Sequence, residues 1–202
     1  MKNCSGHKQA KVEEMQSGVA LSRGPAQFLE EFLPLLPKGR ALDVAAGSGR
    51  NALYLAEHGF SVHAIDRDQE ALRSLQATAR KRRLPQVTTE VVDLEGSLFP
   101  DAAFPPATYD VVVVFFYLFR PLFPAFLRTL KPGGMLVYET FLLENYLRYS
   151  RPRRADFCLA AQELRTLASG LQVLHYDEGE RVAKNGWPSI YTSRLLVRKN
   201  KV

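Results

Sequence analysis

The sequence predicts an α/β fold: a doubly wound, seven-stranded sheet, mostly parallel, with an antiparallel C-terminal strand and helices on both faces. Three observations lead there. Short apolar runs alternate with segments of helical periodicity. The run Ala41-Leu42-Asp43-Val44 passes into a loop of small residues, Ala45-Ala46-Gly47-Ser48-Gly49, and then into a helical pattern. The next apolar run again ends in an acid, Asp66.

The elements follow in order. Phe28, Leu29, Phe32, Leu33 and Leu36 recur at helical spacing, and Pro37 with Gly39 stops that helix. Strand one covers 41–44, and a helix from Arg50 to His58 ends before Gly59. Strand two covers 60–65. Asp68 is the expected N-cap of a helix running to about Arg82, which Leu84-Pro85 breaks. Strand three covers 87–92, and strand four is the very apolar run 110–116. Pro121 opens a helix carrying Leu122, Phe123, Phe126, Leu127 and Leu130. Lys131-Pro132-Gly133-Gly134 reads as a tight turn into strand five, 135–140. After an irregular stretch, 160–168 is helical. Strands 171–176 and 190–198 form an antiparallel pair, joined by a short polar connection.

Composition narrows the classes. With 202 residues, 46% of them apolar and 24% charged, the chain suits one domain with a full core. We expect that domain over residues 25–202, preceded by a partly flexible extension over residues 1–24. Lys2, Lys8, Lys11, Glu13 and Glu14 interrupt any apolar core at the N-terminus, so no secretion signal is expected, and the lack of any run of eighteen uncharged apolar residues leads us to expect no membrane span. The two cysteines, Cys4 and Cys158, have no metal-ligand spacing, so no metal is expected and a cytoplasmic location is. Cys158 reads as a small packing residue. The net charge of +6 favours anionic partners only weakly. Arg80-Lys81-Arg82-Arg83 suits the end of a helix dipole. Arg148, Arg151, Arg153 and Arg154, interleaved with Tyr146 and Tyr149, suit either phosphate contacts or a solvated surface segment.

In a doubly wound sheet, ligands bind beyond the carboxyl ends of the strands, where the strand order reverses. Asp43, Asp66 and Asp93 fall at such ends. Gly47 and Gly49 permit a tight turn and close approach of a ligand to the main chain. Asp66, seventeen residues after Gly49, suits the acid that binds both ribose hydroxyls. Asp93 suits an adenine amino group, and Asp43 suits either the loop's N–H groups or a ligand amine through water. Gly47-x-Gly49-x-x-Ala52 also satisfies the dinucleotide pattern. An acid directly before the loop, and another after strand three, fit better with a cofactor that lacks phosphates and carries an amino-acid end.

These residues resemble class I S-adenosylmethionine-dependent methyltransferases over about residues 25 to 198, which implies a Rossmann-like domain. Asp43 to Gly49 resembles the first motif, with Ala45 in place of its first glycine, which leads us to expect an altered loop geometry. Asp66 resembles the ribose acid, Val92-Asp93-Leu94 the adenine-side motif, Tyr109 to Val112 the fourth strand, and Lys131 to Gly134 the turn before the fifth. A narrower likeness is to the tellurite-resistance-type group, through Gly49 to Leu55, Val91 to Leu94, Glu178-Gly179-Glu180 and Leu195 to Lys199. The His-Arg pair that follows the Gly-Glu of that group is replaced here by Arg181 and Val182. The resemblance implies S-adenosyl-L-methionine as cofactor. Its expected contacts are Arg23, Asp43, Ala45, Gly47, Gly49, Asn51, Asp66, Arg67, Val92, Asp93, Leu94 and Phe115.

Methyl transfer from an activated sulfonium needs in-line placement and exclusion of water rather than a dedicated nucleophile. Substrate contacts are expected from Phe115, Phe116, Tyr117 and Arg120 on one side and Glu139, Phe141 and Tyr146 on the other. Glu139, Tyr117 and Arg120 are the candidate catalytic residues, with Glu139 as general base. Strand four exits through Val114-Phe115-Phe116-Tyr117 rather than [DNS]-P-P-[YFW], which argues against methylation of a base amino group. A small-molecule acceptor is expected, on a monomer or homodimer. The alternatives are methylation of RNA or protein using residues 146–154, a nicotinamide oxidoreductase, and a non-catalytic cofactor-binding module.

Overall fold

The computed structural model describes residues 24–96, 101–182 and 189–201. Arg23 and nearly all of the expected N-terminal extension lie outside these residues. Seven strands form one sheet: β1 (Arg40–Val44), β2 (Ser61–Asp66), β3 (Val87–Val91), β4 (Tyr109–Phe115), β5 (Leu130–Phe141), β6 (Gln172–Arg181) and β7 (Ile190–Arg198). Their order is β3-β2-β1-β4-β5-β7-β6. The first five run parallel, and β7 pairs antiparallel with both β5 and β6. The α-helices are α1 (Gln27–Phe32), α2 (Arg50–Glu57), α3 (Gln69–Lys81), α4 (Phe123–Thr129), α5 (Leu143–Tyr149) and α6 (Glu163–Leu167).

The period of two along the strands splits the core into two layers. Val111 and Val113 of β4 bury with Phe28 and Leu29 of α1, Leu53 and Leu55 of α2, and Leu72 and Leu75 of α3. Val112 and Val114 bury on the other face, with Phe123 and Phe126 of α4 and Leu164 of α6. The continuous apolar run of β4 is therefore what a strand covered on both faces requires. Asp68 caps α3 as its sequence suggests, its Oδ1 accepting from the Glu70 and Ala71 N–H groups at 2.9 and 3.0 Å.

Three elements differ from the sequence reading. Lys131 to Gly134 is an irregularity inside β5 rather than a turn before it, because Tyr109 pairs with Leu130 and Val111 already pairs with Met135. The Gly133 N–H donates to the Lys199 carbonyl at 2.9 Å, which stitches the bulged residues to the chain after β7. A helix, α5, occupies part of the stretch read as irregular. It has no side-chain cap at Leu142, and its Leu147 is 71% exposed, so neither a cap nor a core-facing stripe announces it. Finally, β6 runs on to Arg181, beyond the predicted Tyr176.

Candidate functional site

The strand order reverses at β1, which has β2 on one side and β4 on the other. Opposite crossovers leave a crevice at such a point, beyond the strands' carboxyl ends. The loop after β1 begins there. Ala45, Gly47 and Gly49 have φ of 54°, 55° and 77°. The left-handed turn is thus made with alanine at the first position. Gly49 has a second constraint: a Cβ there would lie 2.3 Å from Leu75 Cδ1, so α2 and α3 approach closely only across a glycine.

Asp66 ties this loop to the start of α3. Its Oδ2 accepts from the Gly47 N–H at 2.7 Å and its Oδ1 from the Asp68 N–H at 2.8 Å. Each oxygen keeps a lone pair, and the side chain lines a cleft of about 360 Å³. Ala45, Arg67, Val92, Asp93, Leu94 and Glu95 line the same side of this cleft. Asp93 Oδ1 accepts from the Glu95 N–H at 3.1 Å, which shapes that turn. The opposite side is apolar and aromatic: Phe116, Leu118, Phe141, Pro152 and Phe157. Phe116 and Phe141 stack with ring centroids 5.1 Å apart. Ala45, Asp66, Arg67, Val92, Asp93 and Leu94, expected as cofactor contacts, are therefore brought together.

Other expected site residues lie elsewhere. Phe115 ends β4 and packs into the core layer over α2; its neighbour Phe116, at φ 57°, turns into the cleft instead. Asn51 is buried with its Oδ1 accepting from the Ala26 N–H at 2.9 Å, so it anchors the entry to α1. Gly47 and Gly49 shape the loop without lining the cleft. Asp43 is buried in β1 behind the loop, and its Oδ2 has no hydrogen-bond partner among the described residues. Burial pushes its carboxyl up to about 7, although the Arg50 guanidinium nearby pulls the other way.

The three candidate catalytic residues separate. Glu139 is buried opposite Arg194 in the β5–β7 register, and its Oε1 accepts from Arg194 Nε and Thr192 Oγ1, both at 2.9 Å. That carboxylate is held by β7 and does not line the cleft, so the geometry does not offer it as a free general base. Arg120 is also outside the cleft, engaged with Glu163 and with backbone carbonyls. Tyr117 does line the cleft, and its hydroxyl is buried without a hydrogen-bond partner among the described residues. Burial, reinforced by Glu95, holds its phenol well above the usual range, so it stays protonated at neutral pH. Its charged neighbours are Glu95, Arg67 and Asp93, which puts it on the acidic side of the cleft. Tyr146 is not among the cleft-lining residues.

Sequence reasoning missed Pro152, Phe157, Glu95 and Leu118. The first two reach the cleft from a segment with no periodicity, where only tertiary contacts select which side chains point inward. Cys158 is buried and burial pushes its thiol up to about 11, in keeping with a packing role. Among the described residues no group of side chains is arranged to hold a metal ion, and no helix is long and apolar enough to cross a membrane.

Residues 41–134 match the family described as "Methyltransferase domain". The probable S-adenosyl-L-methionine-dependent methyltransferase TehB of Haemophilus influenzae is 27% identical over 146 residues, which cover 69% of this chain and 48% of that protein. The putative methyltransferase YqeM of Bacillus subtilis is 30% identical over 125 residues, 56% of this chain and 46% of that protein. The chain thus spans about half the length of these curated relatives. In fold, it superposes on the crystal structure of TehB from Haemophilus influenzae with a TM-score of 0.73 at 20% identity, covering 89% of this chain and 64% of that one. Over residues 41–134 the chain carries a methyltransferase domain, and in sequence and fold it is similar to class I S-adenosylmethionine-dependent methyltransferases of the TehB group.

Proposed function

We propose that this chain transfers a methyl group from S-adenosyl-L-methionine to a small-molecule nucleophile by in-line displacement. The observation that carries this reading is the two-sided cleft: carboxylates on one wall, aromatic rings on the other, in about 360 Å³ at the switch point. The donor set suits the cofactor. Asp66 has free lone pairs toward the cleft for ribose hydroxyls, and Asp93 with Val92 and Leu94 offers an acceptor beside apolar surface for the base. Asp43, buried without a full set of partners, suits an ammonium reached through water.

When bound, the cofactor supplies an already activated methyl group on its sulfonium. The chain's own side chains then have to orient an acceptor and exclude water. Phe116, Phe141 and Phe157 serve the exclusion. The protonated Tyr117 hydroxyl serves as a hydrogen-bond donor rather than a base. A cleft walled by Pro152 and Phe157 favours a small acceptor over a macromolecule. In the basic segment, Arg148 lies over the Tyr191 ring and Arg154 pairs with Asp156, so part of its charge is engaged within the chain.

Titration calorimetry with S-adenosylhomocysteine tests the cofactor assignment. Asp66→Ala should weaken binding at least about tenfold, the loss of charge-assisted hydrogen bonds worth about 1.5–3 kcal/mol. Undiminished affinity in that variant removes Asp66 from the site. Labelled cofactor offered with thiol, amine, carboxylate and RNA acceptors then tests the acceptor class. Salt-sensitive labelling of RNA alone would replace the small-molecule reading.

A further inference from the structure

The segment from Leu142 to Leu159 leaves the end of β5 and returns beside its own start. Leu142 and Leu159 form a parallel bridge, the Leu143 N–H donates to the Leu159 carbonyl at 2.9 Å, and the Leu159 N–H donates to the Phe141 carbonyl at 2.8 Å. Within this strap Asn145 is buried. Its Nδ2 donates to the Arg151 carbonyl and its Oδ1 accepts from the Tyr191 N–H, both at 2.8 Å. The far end of the strap supplies Pro152 and Phe157 to the cleft.

That far end is held by one side chain from another element. Arg120 follows the cleft-lining residues Phe116, Tyr117 and Leu118 at the exit of β4. Its Nε and Nη2 make a fork with the two oxygens of Glu163, the second at 2.9 Å. Its Nη1 donates to the Asp156 carbonyl and its Nη2 also to the Cys158 carbonyl, each at 2.9 Å. Glu163 Oε2 accepts in addition from the Ala160 N–H at 2.8 Å. The two carbonyls belong to the residues on either side of Phe157. A planar guanidinium can satisfy both carboxylate oxygens and both carbonyls at once; an ammonium has three donors for these four acceptors.

We propose that Arg120 is a positioning residue: with Glu163 it latches the strap so that Phe157 forms the aromatic wall of the cofactor and acceptor cleft. This rests on the methyltransferase reading of the cleft. A partly exposed ion pair contributes little to global stability, so the latch acts on the geometry of the cleft rather than on folding.

The test is a double-mutant cycle read by calorimetry with S-adenosylhomocysteine on the full chain. Arg120→Gln and Phe157→Ala should each weaken binding by about fivefold to tenfold, and the double variant should be no worse than the weaker single. Arg120→Gln combined with Asp66→Ala should instead be multiplicative. Glu163→Gln, which keeps the side-chain shape, should move affinity in the same direction, and amide exchange over residues 150–158 should quicken in both latch variants while β1 to β5 stay protected. Unchanged affinity in Arg120→Gln, or multiplicative effects with Phe157→Ala, overturns the proposal. Should the parent chain fail to bind S-adenosylhomocysteine, the cofactor reading falls. Amide exchange then decides the latch alone: unchanged exchange over 150–158 in Arg120→Gln refutes it.

Discussion

Asp43 sits beneath the loop that follows β1, where burial costs its charge more than Arg50 returns. A carboxyl raised from 3.8 to about 7 holds its proton more tightly folded than unfolded. Its contribution to stability is therefore full below the unfolded value and is lost as pH rises through about 7. If Asp43 faces the cofactor's ammonium, the ligand selects its ionised form. Affinity for S-adenosylhomocysteine should then rise between roughly pH 6 and pH 8, and Asp43→Asn should flatten the profile. A flat profile in the parent chain separates Asp43 from the ligand's charge. Ala45 offers a second residue-scale prediction. At φ 54° an alanine costs about 1–2 kcal/mol. Glycine would relieve this, against about 0.4–1 kcal/mol of added unfolded-state entropy. Ala45→Gly should stabilise modestly, raising the melting temperature by a few degrees in a thermal scan. Three acids at or near the ends of successive strands were legible in the sequence. Glu139 was misread because an acid near a strand's end also serves as a cross-strand partner, here to Arg194, and only the register tells which.

At the scale of elements, the alternation within β4 specifies two packed faces, and helices α1 to α3 and α4 with α6 fill them. The contact of Gly49 with Leu75 sets how closely α2 and α3 lie beneath the loop. Gly49→Ala combines overpacking, about 1–3 kcal/mol, with a left-handed alanine, about 1–2 kcal/mol. It should lower the melting temperature by roughly 5–15 °C and weaken cofactor binding; an unshifted transition would mean that α3 moves away freely. Strands, caps and breakers carry strong local signals, so β1 to β4 and α3 emerge within a residue or two of expectation. Helix α5 and the strap carry none. Their order comes from Asn145, the Leu142–Leu159 bridge and Arg120, partners far away in sequence.

For the whole molecule, a ligand that binds only the folded state stabilises it by mass action. S-adenosylhomocysteine at about a hundred times its dissociation constant should add about 2.7 kcal/mol and raise the melting temperature by roughly 5–10 °C. No shift in a thermal scan would count against cofactor binding by the fold as a whole. The sequence by itself determined the doubly wound sheet, the switch-point loop and the acids that line the cleft, because each depends on local periodicity, backbone freedom at small residues and spacing within one strand–loop–helix unit. Only the tertiary structure decided the aromatic wall, the engagement of Glu139 with Arg194 and the gathering of the strap by Arg120, because these depend on where segments 25 to 55 residues apart come to lie.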